Sequence, residues 1–140
     1  MAAHAVRAAT EAAATSLDPS TRVGAALVDH DGAVLGVGHN GLPPGVAALQ
    51  ERWERPAKYM WVQHAEIAAM CDAARRGACV EGATAAVTTY PCAACAGALI
   101  AAGVRVLVAP PPPRADTRWA QDWAVAERML GEAGVEVLHP

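Results

Sequence analysis

The chain has 140 residues, 35 of them alanine, and a formal net charge of −3 from 11 Lys and Arg against 14 Asp and Glu. This length fits one compact domain, so we expect a single domain over residues 1–140. The acidic balance, with no dense Lys/Arg run, excludes the basic footprint of proteins that bind long nucleic acids. A small ligand such as a nucleotide, nucleoside or base is favoured instead.

The N-terminal segment indicates a soluble helix and not a signal peptide, because His4, Arg7 and Glu11 interrupt its apolar residues. No apolar run reaches the length of a membrane span. Four cysteines without a secretory leader are typical of thiols or metal ligands, and not of a disulfide framework. We therefore expect a cytoplasmic protein without a membrane partner.

Helices and strands alternate along the chain. A first helix is predicted over residues 3–17, followed by two strands over 21–29 and 33–40 that are joined as a hairpin by a short His-Asp-Gly turn. Gly36 and Gly38 in the second strand indicate a bulge or a close approach of the backbone to a ligand. Alanine adds little buried area, so we expect the core to come from strands rich in Val, Leu, Ile and Met.

Segment 40–62 is a long loop with prolines and three aromatic residues, which is typical of a functional loop. Beyond it, helices and strands are predicted in alternation, at 64–76 (helix), 83–90 (strand), 92–102 (helix), 104–109 (strand), 118–134 (helix) and 135–138 (strand). This order predicts an α/β sandwich around a partly parallel sheet, opened by one antiparallel hairpin.

A His-x-Glu and a Pro-Cys-x-x-Cys each open a predicted helix, with one strand between them. His64, Cys92 and Cys95 are the candidate ligands of one catalytic Zn²⁺ ion per chain, since catalytic zinc sites use three protein ligands and leave a fourth position open. The helix N-terminus favours thiolates at the two cysteines. Glu66, two residues beyond His64, is the candidate general acid and base.

Each of these residues has a simpler interpretation. A histidine at a helix start is often a cap or a surface residue, Cys-x-x-Cys is also a redox pair, and buried cysteines without a role are common. The combination of both motifs at two helix starts favours zinc. Cys71 and Cys79 lack such an arrangement, and we interpret them as structural thiols.

The motifs resemble the cytidine deaminase superfamily, whose nucleobase-directed zinc enzymes carry this same His-x-Glu…Pro-Cys-x-x-Cys signature. The branch that the chain most resembles is the deoxycytidylate (dCMP) deaminase branch, through "DPSTRVGAALVDHDGAVLGVGHNGLPPGV", "RPAKYMWVQHAEIAA" and "TTYPCAACAGALIAAGVRVLV". The resemblance implies a three-layer α/β/α sandwich with a five-stranded mixed sheet, and a single zinc-dependent deaminase domain.

The resemblance also implies an activity, hydrolytic removal of an exocyclic amine as ammonia, with conversion of dCMP to dUMP as the first expectation. By analogy, Asn40 binds the sugar or base, the Ala65 amide holds a ring carbonyl oxygen, and the Tyr90 backbone carbonyl accepts a hydrogen bond from the departing amine. For Asn40 and Tyr90 the alternatives are a turn and core packing. The resemblance further implies a homo-oligomer, a dimer or a hexamer.

The chain departs from the branch at His39, where tyrosine is common, and in its tail. Trp119 and Trp123 share a helix face and either stack on a flat substrate ring or pack in the core or at a subunit interface. Arg114 and Arg118 either grip a phosphate or are solvated. Three alternatives therefore stay open: another aminated ring such as guanine, adenine or a pterin, a transfer-RNA adenosine, or a non-catalytic zinc-stabilised binding module.

Overall fold

The computed structural model describes residues 1–113 and 119–140, and in these it contains five strands and five α-helices. The helices are α1 (Ala2–Ala14), α2 (Lys58–Trp61), α3 (Ala65–Arg75), α4 (Ala93–Ala101) and α5 (Ala120–Glu132). The strands are β1 (Gly24–Val28), β2 (Val34–His39), β3 (Thr84–Val87), β4 (Val106–Val108) and β5 (Glu136–Leu138). No helix in these two ranges combines the length and hydropathy that crossing a bilayer demands.

The strands form one mixed sheet in the order β2-β1-β3-β4-β5. Strand β1 pairs antiparallel with both β2 and β3, whereas β3, β4 and β5 run parallel to one another. The predicted mixed sheet, with its antiparallel hairpin first, is therefore confirmed. The parallel β3 and β4 bring the loops that follow them to the same edge of the sheet, and α4 begins in the loop after β3.

Helices cover both faces of the sheet, which confirms the three-layer sandwich. On one face α1 packs through Ala5 and Ala9 against Ala26 and Val28. On the other face α3, α4 and α5 pack against the alternate side chains of the same strands, among them Leu27. Successive residues of a strand point to opposite faces, so β1 is buried along its whole length.

Alanine fills more of this core than expected. Strand β1 reads Gly-Ala-Ala-Leu-Val and β3 reads Thr-Ala-Ala-Val, and most of the buried apolar residues on the helices facing them are also alanines. The expectation of a core built from Val, Leu, Ile and Met strands is thus only partly correct. Small side chains on both surfaces let the helices lie close to the sheet.

Gly36 and Gly38 illustrate this close approach. A Cβ at Gly36 would lie 2.7 Å from the backbone nitrogen of Ala73, and one at Gly38 would lie 2.7 Å from the carbonyl oxygen of Ala65. It is therefore helix α3, and not a ligand, that approaches the strand here. The predicted β-bulge is also present. It lies beside Gly36, where the pairing register of β2 with β1 shifts between Leu27 and Val28.

Several predicted elements were longer than the observed ones: the strands predicted over 21–29, 83–90 and 104–109 are β1, β3 and β4, with 5, 4 and 3 residues. Helix α1 ends at Ala14 and not at residue 17, because the buried Ser16 turns its hydroxyl to Asn40, 2.8 Å from both the backbone oxygen and Oδ1 of that residue. Segment 40–62 is not a plain loop, since it holds a 3₁₀ helix (Gln50–Trp53) and α2.

Candidate functional site

The three candidate metal ligands meet at the N-termini of two helices. His64 precedes α3 as its N-cap, Cys92 precedes α4 in the same way, and the buried Cys95 lies in the first turn of α4. The Nδ1 atom of His64 lies 3.5 Å from Sγ of Cys92 and 3.4 Å from Sγ of Cys95. Cys92 and Cys95 follow His64 by 28 and 31 positions in the chain, yet the three side chains face one point.

This spacing fits a tetrahedral zinc ion. Zinc–nitrogen and zinc–sulfur bonds of about 2.0 and 2.3 Å at the tetrahedral angle separate the nitrogen and sulfur by about 3.5 Å. The observed separations of 3.5 and 3.4 Å are close to that value, and all three ligand atoms lie within 4.8 Å of one another. One nitrogen and two sulfurs form a donor set that suits zinc and leaves a fourth position for a reacting group.

The pKa values of the two thiols are shifted in opposite directions. A hydrogen bond from Cys95 lowers the pKa of Cys92 to about 4, against the opposing effect of burial, and His64 lowers it further. The pKa of Cys95 is raised by its hydrogen bond to Cys92 and by burial. The hydrogen bond with Cys92 also raises the pKa of His64. Since zinc binds thiolates, loading the site displaces the remaining thiol proton.

Glu66 lies beside these ligands in the first turn of α3 and is 4% exposed. Burial raises the pKa of its carboxyl group, which lies within hydrogen-bonding reach of the Cys95 side chain. A carboxyl group whose pKa lies above its usual range exchanges protons more readily near neutral pH. Its position fits a proton carrier beside a metal better than a fourth ligand.

A cleft of about 530 Å³ opens over this cluster. Its walls include His64, Glu66 and Cys92 on one side and the aromatic side chains of Trp119 and Trp123 on another. The interpretation that the two tryptophans face the substrate region is therefore supported, although Trp123 also packs against the core. Arg114 and Arg118 of the tail, for which phosphate binding and solvation were the two interpretations, lie outside the described residues.

Asn40 lines the cleft but uses its side chain within the protein. Its Nδ2 donates to Oδ2 of Asp18 at 3.1 Å and to the carbonyl of Thr21 at 2.8 Å. Its Oδ1 accepts from the Ser16 hydroxyl and the Val23 amide, each at 2.8 Å. A substrate group would have to replace one of these four bonds, so the predicted contact with substrate stays a prediction.

Ala65 and Tyr90 also line the cleft. Ala65 is the first residue of α3, so its backbone N–H has no acceptor within the helix. Among the described residues the buried Tyr90 hydroxyl has no hydrogen-bond partner, and burial together with the charge of Glu127 raises its pKa. The substrate roles predicted for the Ala65 amide and the Tyr90 carbonyl stay predictions.

Three charged residues of the cleft wall were not predicted from the sequence. Asp18 and Lys58 form a buried ion pair of 2.8 Å, and Arg55 lines the cleft from the turn that precedes α2. Burial opposes ionisation of Asp18, but hydrogen bonds from Lys58, Ser20 and Thr21 lower its pKa to about 2. Lys58 is the chain's single lysine, a signal that could have drawn notice.

Cys71 and Cys79 are both exposed, so they are not packed in the core as the interpretation of structural thiols implied. They are free, and neither lines the cleft. Within residues 1–113 and 119–140, the cluster of His64, Cys92 and Cys95 is the group of side chains that could hold a metal ion.

A histidine and two cysteines that could hold zinc at two helix starts, with a buried glutamate beside them and an open cleft at the cluster, are typical of zinc-dependent hydrolases. The chain belongs to the cytidine and deoxycytidylate deaminase family, because residues 2–109 match the model of that family's zinc-binding region. It is therefore a deaminase, and this decides against the alternative of a non-catalytic binding module. His64, Cys92 and Cys95 could form the zinc site of the matched region.

Individual relatives agree with this family. The chain is 37% identical over 123 residues, 87% of its length and 81% of the relative's, to an uncharacterized deaminase in the luxG 3′ region of Aliivibrio fischeri. It is 34% identical to the deoxycytidylate deaminase of Pongo abelii over 86% of this chain and 68% of that one. The dCMP deaminase of the cyanophage S-TIM5, solved in complex with dCMP and dUMP, superimposes with a TM-score of 0.77 at 26% identity, over 96% of this chain and 93% of that one.

Proposed function

We propose that this protein removes the amino group of a cytosine nucleotide by hydrolysis, with dCMP as the substrate, dUMP as the product and ammonia released. The observation that carries the proposal is the buried Glu66 beside His64, Cys92 and Cys95 at the base of an aromatic cleft. The deoxycytidylate deaminase of Pongo abelii and the cyanophage enzyme that was solved with dCMP and dUMP support the choice of ring.

In this proposal, His64, Cys92 and Cys95 would hold a zinc ion, and the chemistry that zinc would supply is a lower pKa of water at the site. Glu66 accepts a proton from the attacking water and delivers a proton to the leaving amino group. One water is consumed, the C–N bond breaks, ammonia departs and a ring carbonyl remains. The Ala65 N–H donates to the ring carbonyl oxygen, and the Tyr90 carbonyl accepts from the amino group.

The cleft is suited to a nucleotide. Its volume of about 530 Å³ lies within the range of small-molecule sites. Trp119 and Trp123 offer flat faces on which a ring stacks, and such aromatic contacts contribute about 0.5–1.5 kcal/mol beyond the buried area. In the proposal, Asn40 reaches a sugar hydroxyl only by exchanging one of its internal hydrogen bonds.

Arg55 is the residue that we propose for the phosphate. Lys58 also lines the cleft, but its charge is balanced by Asp18 at 2.8 Å. Arg55 is exposed, and its Nε donates to the Tyr59 hydroxyl at 2.9 Å. Within residues 1–113 and 119–140 the terminal nitrogens of its guanidinium make no hydrogen bond or ion pair, so they are available to bind an anion.

Replacing Arg55 by alanine is expected to raise KM for dCMP by about 10- to 100-fold, because a hydrogen bond to a charged group contributes about 1.5–3 kcal/mol. The KM for deoxycytidine, which has no phosphate, is expected to stay within about twofold. Arg52→Ala is the matched control, since Arg52 stacks on Trp61 at 4.0 Å and does not line the cleft. An equal rise in KM for dCMP and for deoxycytidine in Arg55→Ala would contradict the phosphate-binding role of Arg55.

A substrate panel tests the proposed ring. Purified protein is incubated with dCMP, deoxycytidine, cytosine, guanine, adenosine and a pterin, and ammonia is measured. We expect kcat/KM for dCMP to exceed that for every other compound by at least about tenfold. Turnover of a purine or pterin without turnover of dCMP would show that the chemistry is conserved and the proposed ring is wrong.

We further propose that residues 1–140 act as a single zinc-dependent deaminase domain in a cytoplasmic homo-oligomer, a dimer or a hexamer. Exposed apolar side chains next to the cleft support the oligomer, notably Met60 at 90% exposure together with Tyr59 and Trp61. Aromatic and Met side chains are enriched at protein interfaces.

A further inference from the structure

Helix α4, which carries both candidate cysteine ligands, begins without a cap of its own. Its N-cap is Cys92, whose side chain makes no capping hydrogen bond and faces His64 instead. The first N–H groups of any helix have no acceptor within the helix and need a partner from elsewhere. A metal ligand placed at the N-cap therefore leaves the start of the helix dependent on another residue.

Asp122 of α5 supplies that partner. Its Oδ2 accepts a hydrogen bond of 2.9 Å from the backbone N–H of Ala93, the residue directly after Cys92. The two residues are 29 positions apart, so the bond joins the tail helix to the metal-binding turn. A carboxylate at a helix N-terminus interacts favourably with the helix dipole, and a charged acceptor strengthens the hydrogen bond.

Asp122 also lies between the two tryptophans of the cleft in the amino-acid sequence. Asp122 follows Trp119 by three residues and precedes Trp123 directly, and both tryptophans line the cleft. Helices α4 and α5 also pack against each other through buried residues such as Leu99 and Leu130. Asp122 thus contacts the turn that carries Cys92, and the two tryptophans next to it in the chain line the cleft.

We propose that Asp122 is a positioning residue that holds the Cys92 end of α4 in the geometry required for zinc. This inference rests on the metal-binding role of Cys92 and Cys95 that is part of the proposed function. Outer partners that orient metal ligands typically change metal affinity or activity by about 10- to 100-fold when they are removed. Asp122 acts through the backbone of Ala93 and is not itself a ligand or a catalytic residue.

The rate of zinc release to an excess of a chromogenic chelator tests this role without using activity. Asp122→Ala is expected to release zinc about 10- to 100-fold faster than the parent protein. Asp122→Asn keeps an acceptor oxygen in place, and we expect release within about threefold of the parent rate. Glu132→Ala is the matched control on the same helix, because Glu132 is exposed and pairs only with Arg128 in the described part of the chain.

Asp122→Glu provides a second variant if Asp122→Ala does not yield folded protein. It keeps the charge but moves the acceptor by one methylene, so the proposal expects faster release from Asp122→Glu than from Asp122→Asn. Release at the parent rate from Asp122→Ala, or faster release from Asp122→Asn than from Asp122→Glu, would overturn the positioning role. A parent protein that binds no zinc would instead overturn the proposed function, which keeps the two failures distinct.

Discussion

Replacing Glu66 by alanine is expected to leave zinc bound and to lower kcat by about a thousandfold, which corresponds to about 4 kcal/mol of transition-state stabilisation. The reason is that Glu66 is the buried carboxyl group beside the ligand cluster, with a pKa raised by burial, and it is not one of the three ligands. Removing it takes away the proton carrier and leaves the donor set intact. Metal analysis and steady-state turnover of dCMP measure the two effects on the same sample.

Glu66→Gln is the companion variant, because it keeps the volume of the buried side chain and removes its capacity to transfer a proton. We expect it to lose activity nearly as fully as Glu66→Ala. Normal turnover in either variant would show that the proposed mechanism is wrong. Loss of zinc together with activity would instead make Glu66 a structural partner of Cys95, whose side chain lies within hydrogen-bonding reach.

Replacing Cys92 by serine is expected to abolish zinc binding under chelator competition and to reduce turnover to background. A serine hydroxyl is a much poorer zinc ligand than a thiolate, and Cys92 has the lower pKa of the thiol pair, about 4. We expect the parent protein to hold about one zinc per chain and Cys92→Ser to hold less than about a tenth of that. Elemental analysis after dialysis against a weak chelator measures both values.

Cys71→Ser and Cys79→Ser are the matched controls for this substitution. Both cysteines are free and exposed, and neither belongs to the ligand cluster. Both variants are expected to keep the zinc content and the turnover of the parent protein. Zinc loss in either control equal to that in Cys92→Ser would contradict the assigned ligand set.

The local parts of the site could be predicted from the sequence because they depend on short spacings. A histidine and a Cys-x-x-Cys at the starts of two helices specify which atoms lie at helix N-termini, and the alternation of elements brings those termini to one sheet edge. The approach of His64 to Cys92 and Cys95 within 3.5 Å agrees with that reasoning.

Contacts between distant segments could not be predicted in the same way. The bond of Asp122 to Ala93 and the ion pair of Asp18 with Lys58 join elements 29 and 40 positions apart, and no local pattern specifies them. Gly36 could be recognised as a site of close approach, but the sequence alone does not distinguish a helix from a ligand as the neighbour. Arg55 and the two tryptophans also reach the cleft from distant segments of the chain, and the substrate role that we propose for them has no local sequence pattern.

The most direct test of the central claim, a zinc-dependent dCMP deaminase, is conversion of dCMP by zinc-loaded, chelator-stripped and zinc-reloaded samples of the same preparation. Mass spectrometry quantifies dUMP, and a coupled assay quantifies ammonia. The account predicts equal amounts of dUMP and ammonia from the loaded protein, loss of both on stripping and recovery on reloading. Unchanged dCMP with fully zinc-loaded protein, or equal turnover by stripped protein, would contradict it.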